Sequence, residues 1–192
     1  HCLAYYSYKD VEKLEKFMSG KPVAEQEIGY ALLQEVVAYA ETSMSRRKFL
    51  LHYFGEEFDS ETGEGANMDD NVRNPKVKVE AQDNVKKLLE VVRDTKHLYK
   101  SKEIIYTLIG RVNATIKAHR TDTQSFFGCG TDKEEKYWMA LIRQVLVDGL
   151  LTKDIETYGI LKVSDKGHDF IKNPTSFMMS EDHEYNEAED DA

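Results

Sequence analysis

Residues 76–172 set out six elements in an order that few folds accommodate. Val85, Leu88, Leu89 and Val92 mark one amphipathic helix, and Ile104, Ile105, Leu108 and Ile109 mark a second that Ser101 caps. Trp138, Leu141, Ile142, Val145 and Leu146 mark a third. Asp132, with Glu135 three residues later, predicts a capping box at its start, and Gly149 predicts its end. Residues 150–155 and 160–163 then read as two strands around Thr157, Tyr158 and Gly159, and Ser164 begins a last helical turn through Phe170 and Ile171.

Three helices, a β-hairpin and a closing helix describe a winged helix, a variant of the helix-turn-helix. The first 75 residues are patterned differently. Ser7 and Asp10 can cap a helix through Lys16 that aligns Val11, Leu14 and Phe17. Gly20 and Pro22 stop it. A longer helix over 23–40 spaces Ile28, Leu32, Val36 and Val37, and a third from Arg46 to Phe54 presents Phe49, Leu50, Tyr53 and Phe54 to a core before Gly55. Residues 2–6, CLAYY, read as a short strand. The expected fold is mainly α with a small β-hairpin wing: a helical hairpin subdomain followed by a winged helix.

The formal net charge of −9 argues naively against nucleic acid. The charge is segregated, however. Residues 54–75 carry −6 and residues 180–192 carry −7, whereas residues 76–130 carry +5. What a face attracts is decided within a Debye length of about 8–10 Å, so a nucleic-acid partner stays open. No apolar run approaches the roughly 20 residues that span a bilayer. Cys2 and Cys129 lie too far apart in sequence to suggest a disulfide framework, which points to a reducing cytoplasm. Cys129, with no His nearby, reads as a buried structural thiol. The acidic stretch from Ser180 reads as disordered.

No phosphate-binding loop, dinucleotide fingerprint or H-E-x-x-H motif is present, so no enzyme class announces itself. The loop GEEFDSETGEGANMDDNV, residues 55–72, holds seven carboxylates and three glycines. Read from Asp59 as a calcium loop, it puts Glu64 where the turn glycine belongs, so it reads as a solvated acidic loop. Residues 110–120, GRVNATIKAHR, are the reverse case. Arg111, Lys117 and Arg120 supply cations, Asn113 and Thr115 supply short donors, and no acid interrupts them. Such a set suits phosphate oxygens.

Residues 45–56, SRRKFLLHYFGE, resemble the entry to the zinc-binding subdomain of RecQ-family DNA helicases, where a Cys precedes Arg-Arg, an apolar run and Tyr-Phe-Gly-Glu. Residues 2–10, CLAYYSYKD, are similar to the exit from that family's second RecA-like motor domain. Residues 125–130, SFFGCG, the helix around Tyr137 and Trp138, and residues 142–151, IRQVLVDGLL, resemble its RecQ C-terminal (RQC) winged helix. The resemblance is to a bacterial RecQ and divides the chain into the end of a motor domain (1–8), a zinc-subdomain-like region (9–75), an RQC domain (76–172) and an acidic tail (173–192). It implies an ATP-driven 3′-to-5′ helicase of recombination and repair. The ATP and Mg would belong to motor domains outside these residues, so the fragment would have no catalytic residue and no activity by itself. Its implied task is to grip duplex, forked or tailed DNA. The alternative is a protein-interaction module recruiting a partner such as a single-strand-binding protein.

By position, the resemblance assigns DNA contact to Arg111, Asn113, Thr115 and Lys117, and to Lys153 and Tyr158 on the wing; Arg120 joins them as a basic neighbour. The departure is zinc. Ser45 stands where the first cysteine belongs, and residues 57–74 contain neither Cys nor His. Structural zinc prefers those ligands, so the expectation is no metal, with Leu32, Val36, Phe49, Leu50, Tyr53 and Phe54 packing to hold the helices instead.

Overall fold

The computed structural model describes residues 2–96, 98–154, 157 and 159–185. The first part contains α1 (Tyr8–Met18), α2 (Val23–Glu41), α3 (Arg46–Tyr53) and the one-turn α4 (Asp70–Arg73). The second contains β1 (Val79–Glu80), α5 (Gln82–Asp94), α6 (Ser101–Ile109), α7 (Ala114–Ala118), α8 (Glu135–Val147), β2 (Leu151–Asp154), β3 (Ile160–Val163), α9 (Asp165–Lys172) and β4 (Met178–Met179). The expected class holds: mostly helix, with a small antiparallel wing.

The apolar stripes of α5, α6 and α8 close on one another as their spacing requires. Val85, Leu88, Leu89, Ile104, Leu108, Trp138, Leu141 and Val145 are at most 1% exposed. The wing is β2 paired with β3, Leu151 opposite Val163 and Asp154 opposite Ile160. Residue 155 lies outside the described residues. Ser164 caps α9 as expected: its hydroxyl accepts from the Gly167 N–H and donates to the Gly149 carbonyl at 2.6 Å.

Gly167 sits on α9 where the helix crosses the loop after α8. A Cβ there would lie 2.1 Å from the Leu150 carbonyl oxygen and 2.8 Å from Val163 Cγ1. In an open helix, Gly→Ala gains about 1 kcal/mol. Here Gly167→Ala is expected to lower stability by about 1–3 kcal/mol through overpacking against fixed backbone, read as a lower urea midpoint at unchanged m-value.

Several expectations are corrected. α8 begins at Glu135 with Glu134 as its N-cap residue, so Asp132 caps nothing and instead reaches Lys87 across to α5 at 3.4 Å. Ser101 is the first helical residue of α6, not its cap. Residues 2–6 form no strand. Cys129 is exposed rather than buried; partial desolvation still raises the pKa of its thiol, which keeps it a poor nucleophile.

The hairpin core is rotated from the expected one. Val11, Leu33 and Val37 pack together beside Tyr6 and are at most 6% exposed. Phe49 is buried as expected, but Leu32, Val36, Leu50, Tyr53 and Phe54 are 44–67% exposed. The reason lies in α2, which is apolar around most of its circumference. Seating Leu33 and Val37 on α1 turns Leu32 and Val36 outward.

The chain past residue 172 is the largest departure. β4 returns to pair with β1, Val79 opposite Met179. Phe177, Met179 and Ser180 are buried. Residues 180–185, expected to be disordered, run between the two halves. Ser180 exchanges hydrogen bonds with the Gln144 side chain, its N–H donating at 3.1 Å and its carbonyl accepting at 2.6 Å, and its hydroxyl meets that of Ser43 at 2.8 Å. Lys76 donates to the Asp182 carbonyl, and Tyr185 stacks edge-on against Tyr6.

Candidate nucleic-acid interface

The expected DNA-contacting segment is built by one reversal of the chain. α6 stops at Gly110, whose φ of 72° is the left-handed conformation glycine adopts without penalty. The chain then turns into α7, anchored by Ile116, which is 0% exposed. With Ile116 inward, Thr115, Lys117 and Arg120 face solvent, together with Arg111 ahead of the helix. The five residues expected between 111 and 120 thus share one turn and short helix.

Their chemistry is not uniform. The Arg111 guanidinium lies 5.0 Å from the centre of the Tyr106 ring and donates to Glu135 at 2.8 Å. Asn113 is mainly a helix cap, its side-chain oxygen accepting from the Ile116 N–H at 2.8 Å. Among the described residues, no carboxylate pairs with Lys117 or Arg120. Arg120 holds a left-handed φ of 56°, which is uncommon for a residue bearing a Cβ. Tyr106 and Glu135, which frame Arg111, were not expected; Tyr106 lies five residues before Arg111, and nothing in the spacing marks it.

The wing does not join this segment. Lys153 on β2 is tied by an ion pair to Glu35 of α2, and Lys162 on β3 pairs with Asp154 at 2.5 Å. Tyr158 lies outside the described residues. A second tie, Lys48 to Asp148 at 2.8 Å, fixes α3 to the end of α8. Arg143 of α8 is buried between the halves against Glu41 at 3.2 Å and Asp182 at 2.5 Å. A cleft of about 730 Å³ opens beside it between α1, α2 and α8, with Arg111, Lys133 and Lys136 set among Glu134, Glu135 and Glu41. Its mixed charge does not single out an anion.

The acidic loop is ordered by the helix that precedes it. Ser45 caps α3, its oxygen accepting from the Lys48 N–H, while its hydroxyl donates to Asp69 Oδ2 at 3.0 Å. Asp69 in turn caps α4 by accepting from the Val72 N–H at 3.0 Å. Arg46 grips Asp70 with two hydrogen bonds, at 2.6 and 2.9 Å, and donates to the Tyr39 carbonyl near the end of α2. These contacts hold the Asp70 carboxyl below its usual pKa. Arg47 donates to the Glu64 carbonyl and lies 5.5 Å from the centre of the Phe58 ring. Gly65 takes a φ of 76°, the left-handed conformation that glycine adopts without penalty, which accounts for glycine there. Asp59 accepts from its own turn, at Glu61 and Thr62. Among the described residues no cluster of His, Cys, Asp or Glu is arranged to hold a metal. The donor at the first ligand position is a serine already committed twice, so these residues do not fit a structural zinc.

Two family models match the chain: RecQ zinc-binding over residues 8–71 and RQC domain over residues 75–188. The chain is 28% identical over 179 residues to the ATP-dependent DNA helicase RecQ of Pasteurella multocida, covering 91% of this chain and 28% of that protein. It is 26% identical over 152 residues to the enzyme of the same name from Haemophilus influenzae, covering 79% and 24%. A 62-residue segment is 44% identical to the ATP-dependent DNA helicase hus2/rqh1 of Schizosaccharomyces pombe, covering 31% of this chain and 5% of that protein. The chain spans about a quarter of the length of the two bacterial relatives. Arg-Arg at 46–47, the winged helix and the strand pairing that returns residues 178–179 to it lie within the matched segments, and the chain belongs to the RecQ family, of which it carries the zinc-binding and RQC portions.

Proposed function

We propose that this chain is the DNA-gripping accessory region of a RecQ-type, ATP-dependent 3′-to-5′ helicase of recombination and repair. It would hold duplex, forked or tailed DNA by its phosphates and present it to the motor. The observation that carries this reading is the exposed segment 111–120, where Arg111, Lys117 and Arg120 project from one turn and short helix, with Lys117 and Arg120 unpaired among the described residues. Thr115 adds a hydroxyl to the same surface. Asn113 shapes it by capping α7. Lys153 reaches DNA only by leaving Glu35, so its share is secondary, and Tyr158, which lies between β2 and β3 in the sequence, is the candidate for stacking on a base end. The same reading leaves zinc out of the fold, because the donors at the expected site are engaged with one another.

Fluorescence anisotropy on a forked duplex tests the proposal. Arg111→Glu combined with Lys117→Glu is expected to weaken binding by roughly tenfold or more at low salt, while Lys153→Ala costs less than Lys117→Ala. An unchanged affinity in the double variant would remove the segment from the interface. Binding that ignores salt would favour the protein-interaction reading, with a single-strand-binding protein as its first test.

A further inference from the structure

We infer that a metal-free polar clasp, formed by Ser45, Arg46, Asp69, Asp70 and Asn71 and locked by His183, does the work of a structural zinc in this chain. The inference rests on the zinc-free reading above and adds what takes the metal's place. A zinc site in such a hairpin joins the start of one helix to a distant loop. Here the same two pieces of chain are joined by hydrogen bonds. The Ser45 hydroxyl bridges two helix starts, since it caps α3 and donates to the Asp69 carboxylate that caps α4. Arg46 ties the end of α2 to α4 through Tyr39 and Asp70. Asn71, 4% exposed, donates from one amide nitrogen to the Thr42 and Met44 carbonyls, both at 2.7 Å. A buried side chain with that many partners behaves as a fastener, because removing it strands carbonyls away from water.

The clasp extends beyond the hairpin. With its nitrogen spent on the two carbonyls, Asn71 offers its oxygen to His183 Nε2 at 2.7 Å, so that ring nitrogen carries the proton and donates. The His183 N–H donates to the Glu41 carbonyl at 2.7 Å. His183 belongs to the segment that also grips Gln144 and Arg143 of the winged helix. The clasp therefore joins the loop, the hairpin and the RQC domain, where a zinc ion would join only the first two.

The test is metal analysis with thermal unfolding on the full 192-residue chain, produced in zinc-supplemented medium and dialysed. The expected result is well under one zinc per chain, a Tm unmoved by EDTA, and a Tm lowered by roughly 4–8 °C in Asn71→Ala, with a smaller drop in Asp70→Asn. Arg46→Asp with Asp70→Arg should recover part of the loss of either single change. One tightly held zinc per chain whose removal lowers the Tm would overturn the inference, as would Asn71→Ala and Asp70→Asn melting like the parent. Forked-DNA affinity is read on the same samples. A zinc-free, EDTA-insensitive chain that fails to bind DNA would overturn the functional reading and leave the clasp standing.

Discussion

Arg143→Ala is expected to cost about 3–5 kcal/mol, the largest effect of any single charged residue among the described residues. Arg143 is the cation between Glu41 of α2 and Asp182 of the returning C-terminal segment. Its side chain is 10% exposed and that of Asp182 is 15% exposed. Asp182 Oδ1 already has no hydrogen-bond partner among the described residues. Removing the guanidinium leaves the buried Asp182 carboxylate facing Glu41 with no cation between them. The sign with pH follows from Asp182, whose carboxyl burial pushes above its ordinary range even with Arg143 beside it. A group whose folded pKa is raised favours folding fully below its unfolded pKa, and that contribution is lost as pH rises through the folded value. Losing Arg143 raises Asp182 further. The deficit of the variant should therefore grow as pH rises above the ordinary carboxylate range, and urea denaturation at an acidic and at a neutral pH checks it.

Trp138→Ala comes second, with an expected loss of about 3–5 kcal/mol. Trp138 is the only tryptophan in the sequence and is 0% exposed. Its indole N–H donates to the Gly130 carbonyl at 2.9 Å, so the substitution opens a cavity and also strands a buried acceptor. The loop on the other side is fitted to the ring: a Cβ on Gly130 would lie 2.5 Å from it. The collapse of that loop would reach Gly128, whose N–H donates to the Thr107 carbonyl of α6. Circular dichroism must follow the transition, since the fluorescent reporter is the residue removed.

The winged helix was legible because its core obeys one period at a time. Val85, Leu88, Leu89 and Val92 can be buried only as a helix stripe, and Leu151 and Val163 only as facing strand positions. The segment 110–120 could be read as a basic surface for a different reason: a run of cations and short donors without an acid is visible in composition, and the structure exposes Arg111, Thr115, Lys117 and Arg120. What sequence reading missed was set by partners distant in the chain. Leu32 and Leu33 are equally apolar, and only the docking of Val11 decides which faces inward. The carboxylates of Asp69 and Asp70 looked solvated because Ser45 and Arg46, which engage them, lie 24 residues away. The ion pair of Arg143 left no trace in the sequence because its partner Asp182 belongs to a stretch whose composition suggests disorder. Polar pairing across such separations leaves no periodic trace.

On the proposed DNA-binding reading, the pairing of Arg111 with Glu135 and of Lys153 with Glu35 would also fix how the ion atmosphere responds when DNA binds. A cation that is free in the unbound protein displaces a counterion from a phosphate at no ionic cost to the protein. A cation that abandons a carboxylate leaves that carboxylate to collect a counterion of its own, and the two exchanges nearly cancel. By this count Lys117 and Arg120 should set most of the dependence on salt, with a slope near −2 in log K against log salt at about −0.9 per neutralised phosphate. Four basic residues at the interface would then register as roughly two.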